Sequence, residues 1–204
     1  MAGLLRNPAR TMNASSDDWD ETDAVLVAQA RQGDAQAFAL LYRRYVEKVY
    51  NFARHRLGSR EAAEDATQTV FLRAYGSLKS CRDGDRFAGW LFAIARNVVN
   101  DSWRARQHLV VVTDGWENLP DGADSLEELA IQADARSALR SARDRCLSAA
   151  ERDVLDLRLQ DLNDRQIAEA LGRSHGAVRV MQHRMLKKLR HCLGIASRTE
   201  VANG

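Results

Sequence analysis

The chain has 204 residues, with 30 Lys+Arg, 28 Asp+Glu and a formal net charge of +2. Hydrophobic residues make up 45% and prolines number 2, well under the usual proline share of about 5%, so long helices can run uninterrupted. No run of about 18 apolar residues is present to insert in a membrane, and the first ten residues hold no apolar stretch long enough for a secretory signal. Cys81, Cys146 and Cys192 are scattered, with no C-x-x-C. That pattern argues against a disulfide framework or a thiolate zinc site, and for inert core thiols in a cytoplasmic protein.

The small net charge conceals segregation. Residues 1–33 sum to −2, 34–106 to +5, 107–147 to −4 and 148–204 to +3. A basic block and a second basic block are thus separated by an acidic one. Within the last block Arg173, Arg179, Arg184, Lys187, Lys188 and Arg190 run with no acid among them, the electrostatic footprint of a phosphate-backbone binder.

In chain order, residues 1–22 are polar, with an acidic cluster at 17–23, and read as disordered; Met12 offers an alternative start. Helical periodicity begins at Asp23. Asp34 is an N-cap candidate, and Phe38, Leu41, Tyr45, Val49 and Phe52 then recur at helical spacing. Gly58 stops that helix and Ser59 caps the next, whose inward stripe is Ala63, Ala66, Val70, Ala74 and Leu78. Residues 80–86 form a charged loop. The helix from Phe87 to about Arg106 divides into a core stripe (Phe87, Leu91, Ile94, Val98), a polar stripe (Asn97, Asn100, Arg104) and an aromatic–basic stripe (Phe92, Arg96, Trp103). Aromatic rings beside cations suit single-stranded nucleic acid, which offers a π-face and a phosphate; Phe87 and Trp90 read as core instead.

Residues 107–124 lack periodicity and contain Gly115, Pro120 and Gly122, the composition of a linker. A helix is expected over about 125–147. Ser148–Glu151 forms a capping box, and Asn163–Gln166 a second. Gly172, Ser174 and Gly194 punctuate the rest, so helices are expected at 149–160, 164–171 and 175–193. The last pair reads as a helix–turn–helix locked by Ile167, Ala168, Leu171, Val178, Met185 and Leu189. Its second helix would project Arg179, Gln182, His183 and Arg184 outward, where such side chains can read base edges in the major groove. A plain helical hairpin is the alternative. No catalytic set, no metal-ligand spacing such as H-E-x-x-H, and no Gly-rich phosphate loop is present, so the chain reads as a non-enzyme with no cofactor.

These residues together resemble the extracytoplasmic-function (ECF) sigma factors of the sigma-70 family. Glu64–Tyr75, with Asp65, Gln68 and Phe71 in a D-x-x-Q-x-x-F pattern, is similar to that family's core-polymerase-binding helix. Phe87–Asn97 is similar to its minus-10 segment. Gln166–Gly172 with Gly176–Arg179 is similar to its minus-35 helix–turn–helix. The resemblance implies an all-α fold of two small helical domains joined by an acidic flexible linker: a disordered 1–22, sigma region 2 over 23–106, a linker over 107–131, sigma region 4 over 132–195 and a tail over 196–204. It implies that Asp65, Gln68, Phe71 and Leu72 face core RNA polymerase. The loop Ser80–Arg86 would hold a flipped base, and the minus-10 set would be Arg82, Arg86, Arg96, Asn97, Asn100, Trp103 and Arg104. The minus-35 set would be Arg173, Ser174, His175, Arg179, Gln182, His183 and Arg184. Partners would be core RNA polymerase, promoter DNA and an anti-sigma factor. Ala177 stands where the family commonly has Thr, and Val180–Met181 where it has Ser–Arg, which alters the reading surface. Two rivals stay open: a helix–turn–helix regulator that never joins polymerase, and a sigma-mimicking adaptor that titrates an anti-sigma factor. The charge layout further suggests that full-length protein binds DNA poorly until polymerase draws acidic segments away from basic ones.

Overall fold

The computed structural model describes residues 21–81, 83–107, 138–139 and 141–195. Arg82, the linker beyond Gln107, most of the helix expected over 125–147 and the tail from residue 196 lie outside the described residues. The first domain comprises α1 (Asp23–Arg31), α2 (Ala35–Leu57), α3 (Arg60–Ser77) and α4 (Phe87–Gln107), with 3-10 turns at Leu78–Ser80 and Gly84–Arg86. The second comprises α5 (Ala149–Arg158), α6 (Asp164–Leu171) and α7 (His175–Cys192), preceded by a helical stretch at 141–146. Among the described residues there is no strand.

The helix ends follow local chemistry. The Asp34 carboxylate accepts the Gln36 and Ala37 amides at 2.8 and 3.2 Å, and Ser59 accepts the Ala62 amide at 3.3 Å. Gly58 closes α2 at φ 74°, a left-handed conformation that a side chain would strain. Both expected capping boxes form, at Ser148–Glu151 and Asn163–Gln166. Each such cap is worth about 1 kcal/mol. α5 ends at Arg158, two residues earlier than expected, because the chain turns over Leu159–Asp161 and Asp161 enters the left-handed region at φ 61°.

In the first domain the α2 stripe Leu41, Tyr45, Val49 and Phe52 packs on the α3 stripe Ala63, Ala66, Val70 and Ala74 and on Phe87, Leu91 and Val98 of α4. Small alanines on α3 let the helices approach closely, and Phe52 fills the space with an edge-to-face contact to Phe92 at 5.7 Å. Phe92 is fully buried, so it belongs to the core and not to an exposed aromatic–basic stripe. Asp23 receives hydrogen bonds from the Tyr45 hydroxyl and from Arg44, tying α1 to α2; burial, then the Asp23 carboxylate, pushes the Tyr45 phenol upward from its usual range. In the second domain Val154, Leu157, Ile167, Ala168, Val178, Met185 and Leu189 form the core that sets α6 against α7.

Cys146 and Cys192 are joined by a disulfide with a Cα–Cα distance of 6.7 Å. The expectation that all cysteines are inert thiols is therefore corrected. The two residues are 46 apart in sequence and meet because the second-domain core brings the end of the 141–146 helix to the end of α7. Cys81 is free and buried, and burial, followed by the Glu169 charge, pushes its thiol up to about 11.

Candidate nucleic-acid and partner interfaces

Three surfaces carry the residues singled out from the sequence. The first lies on α3. Asp65, Gln68 and Leu72 follow one another at i, i+3 and i+7 and are all exposed, Leu72 to 73%. Phe71 is 5% exposed and lies beneath them, edge-on to Tyr42 at 4.6 Å. Tyr75 is exposed one turn on and meets Phe38 at 4.9 Å. Phe38 and Tyr42 on α2 thus pair with Tyr75 and Phe71 on α3. Tyr42 and Tyr75 were not singled out from the sequence; the i, i+4 aromatic pairs on both helices were the signal. Tyr42, Leu72 and Tyr75 are thus exposed on the same domain as Asp65 and Gln68.

The second surface lies on α4 and the loop before it. Asn97, Trp103 and Arg104 are exposed, and Asn100 is half-buried. Asn97 borders an open recess of about 370 Å³ shared with Arg73, Gly76, Ser77 and Ile94. Arg86 and Arg96 are already paired. Arg86 lies 3.2 Å from Asp83 and 3.8 Å from Glu169. Arg96 donates to Asp153 at 2.8 Å. Arg82 lies outside the described residues.

The third surface is the outer side of α7. Arg173, Ser174, His175, Arg179, His183 and Arg184 are exposed. Gly172 at φ 60° makes the turn, and Ser174 caps α7 by accepting the Ala177 amide at 3.2 Å. Gln182 is half-buried and donates its amide to Asp164 at 2.9 Å. That hydrogen bond, together with Arg158, holds the Asp164 carboxyl below the usual carboxylate range despite partial desolvation. Gln182 therefore braces the two helices against each other, while Arg173, Arg179, Arg184 and His183 make no such tie among the described residues. Among the described residues no cluster of His, Cys, Asp or Glu is arranged to hold a metal ion, and no helix is long and apolar enough to cross a membrane.

The profile of sigma-70 region 2 matches residues 41–109, and that of sigma-70 region 4 matches residues 145–191. The ECF RNA polymerase sigma factor SigD of Mycobacterium tuberculosis is 33% identical over 193 residues, covering 90% of this chain and 87% of SigD. The chain belongs to the ECF sigma factors. A second relative, the ECF sigma factor BldN of Streptomyces coelicolor, is 32% identical over 173 residues, which span 82% of this chain and 64% of BldN. Among solved structures, CnrH in complex with the cytosolic domain of CnrY superposes with a TM-score of 0.63 at 26% identity, covering 87% of this chain and 100% of that one. In sigma-factor terms the first surface and the second lie in region 2, and the third lies in region 4.

Proposed function

We propose that this sigma factor docks on core RNA polymerase through the α3 surface of Asp65, Gln68 and Leu72. It reads the upstream promoter element through α7 and holds the opened downstream strand along α4. The observation that supports this most is the separation of surfaces: an apolar docking face on one helix and an acid-free basic face on another, in the order the family requires. Arg179, His183 and Arg184 approach the duplex, with Arg173, Ser174 and His175 at the helix entrance. Asn97, Asn100, Trp103 and Arg104, with Arg82, Arg86 and Arg96, serve the single strand. Phe71 supports the docking face from below. Stacking on Trp103 is worth about 1–3 kcal/mol per base, enough to offset the unpairing of one base. Work of this kind is binding and needs no catalytic residue or cofactor. The protein acts in the cytoplasm, and an anti-sigma factor controls it.

Co-elution with purified core RNA polymerase tests the reading. A regulator that never joins polymerase would elute alone. The double variant Arg179→Ala/Arg184→Ala, measured by anisotropy on a promoter duplex with the polymerase-bound protein, is expected to weaken binding by about 1–3 kcal/mol per lost base contact. The slope of log K against log salt should fall by about 1 for each phosphate contact removed. Unchanged affinity and slope would remove α7 from the interface.

A further inference from the structure

α1 carries none of the residues assigned above to DNA or to polymerase, and it lies ahead of the region 2 match, which begins at residue 41. Its place in the fold is specific all the same. It packs on both 3-10 turns of the segment that leads into α4, Leu78–Ser80 and Gly84–Arg86. The second turn presents Arg86, exposed and read above as serving the opened strand.

At Gly84 this contact is backbone against backbone. A Cβ there would lie 3.0 Å from the Ala24 carbonyl oxygen, 3.1 Å from the Ala24 carbonyl carbon, and closer still to the Ala24 Cα. Atoms at such separations overlap, so a side chain at 84 pushes α1 and the turn apart. The left-handed glycines among the described residues are Gly33, Gly58, Gly172 and Gly194. Gly84 is not one of them, so close approach rather than backbone conformation calls for glycine here.

α1 is itself held in place. Asp23, beside Ala24, accepts from the Tyr45 hydroxyl and from Arg44 at 2.5 Å, and Arg44 also donates to the Glu21 carbonyl at 2.9 Å. The Tyr45 ring meets Phe87, the first residue of α4, edge-on at 5.4 Å. The turn is closed by its own hydrogen bonds. The Asp83 carbonyl accepts the Arg86 amide at 3.0 Å and the thiol of buried Cys81 at 3.6 Å. The Asp83 carboxylate accepts the Asp85 amide at 3.1 Å and lies 3.2 Å from the Arg86 guanidinium. A turn closed in this way moves as one piece, and α1 sets where it stands.

We propose that α1 is a bracket for strand recognition: Gly84 seats the turn against Ala24, Asp23 fixes α1 to Tyr45 and Arg44 of α2, and together they aim Arg86 at one base of the opened strand. Gly84, Ala24 and Asp23 are positioning residues that act through Arg86. The inference rests on the role proposed above for region 2 in holding that strand. A guanidinium discriminates between bases through a fixed fork of donors, which must be held to within about 0.5 Å. A methyl group at Gly84 displaces the turn on that scale.

The test uses the full chain bound to core RNA polymerase and a randomised single-stranded oligonucleotide pool, from which the bound sequences are recovered and read. Wild type is expected to enrich a motif, and Arg86→Ala to flatten it at one position. Gly84→Ala and Asp23→Ala should keep wild-type helicity by circular dichroism and wild-type affinity for core polymerase. Each should flatten that same position, lowering its base preference by about tenfold, within the range that one base contact confers, and keep the preferences elsewhere. Weakening spread evenly over all positions, an unchanged motif, or flattening at a position that Arg86→Ala leaves intact would overturn the bracket. Should Gly84→Ala lose helicity, Asp23→Ala, which introduces no clash, carries the test by the same criteria. A wild type that binds the pool without preference would defeat the reading of region 2, and the bracket with it. Variants that fail beside a wild type with a clear motif defeat the bracket alone.

Discussion

Leu72→Glu is expected to weaken assembly with core RNA polymerase by at least about 30-fold while leaving the protein folded. Leu72 is 73% exposed, so the substitution costs the core nothing, and glutamate is a good helix former at this mid-helix position of α3. The interaction lost is that of an exposed apolar anchor on the proposed docking face. Truncating an anchor of that kind weakens an interface by about 2 kcal/mol or more, and a charge in its place adds a desolvation cost. Affinity for core polymerase, measured by surface binding, should therefore fall by at least about 30-fold. Phe71→Ala should also weaken binding, but through the fold: Phe71 is buried, and removing its ring costs about 3–5 kcal/mol of stability. A Leu72→Glu protein that binds polymerase normally would place the docking face elsewhere.

Reduction of the Cys146–Cys192 bond is expected to destabilise region 4 strongly. The bond closes a loop of 46 residues that contains the whole helix–turn–helix. Releasing a loop of that size returns about 4 kcal/mol of chain entropy to the unfolded state, with about 2–4 kcal/mol typical of measured cases. A small domain loses about 4–8 °C of melting temperature per kcal/mol, so melting of region 4 should drop by more than about 10 °C on adding dithiothreitol. Cys192→Ser should melt low with or without reductant. Thiol titration of the unreduced, denatured protein should find one group, Cys81. Melting that ignores reductant, or a titration that finds three thiols, would contradict the bond.

The capped ends were legible in the sequence because each is decided within four residues. Asp34, Ser59, Ser148, Asn163, Gly172 and Ser174 all act as their chemistry requires. The apolar stripes of α2 and α3 were legible for the same reason of local periodicity. Phe92 and Phe71 were harder, because each sits at the border between two helix faces. Which side of that border is covered depends on the neighbouring helix: Phe52 claims Phe92, and Tyr42 claims Phe71. Gln182, expected to project outward from the reading helix, donates its amide to Asp164, 18 residues earlier, a contact between two helices that periodicity does not show.

What the sequence did not disclose is what depends on distant partners. The Cys146–Cys192 pair is made by the second-domain core, not by spacing. The charge sums directed attention to the acidic segments, 1–33 and 107–147, as the elements that would mask DNA-binding groups. In the structure Asp153, Asp156 and Glu169 engage the arginines of region 2, and they lie in the C-terminal block whose net charge is positive. A net charge summed along the chain averages over helix faces, and α5 and α6 present acids on one side while α7 presents bases on another.

The measurement closest to the central claim is sequencing of transcripts started in vitro by this protein with purified core RNA polymerase on a genomic DNA library. The account predicts 5′ ends concentrated downstream of shared pairs of upstream and downstream elements, present only when the protein is added, and lost with Leu72→Glu. Start sites that match those of core polymerase alone would contradict it.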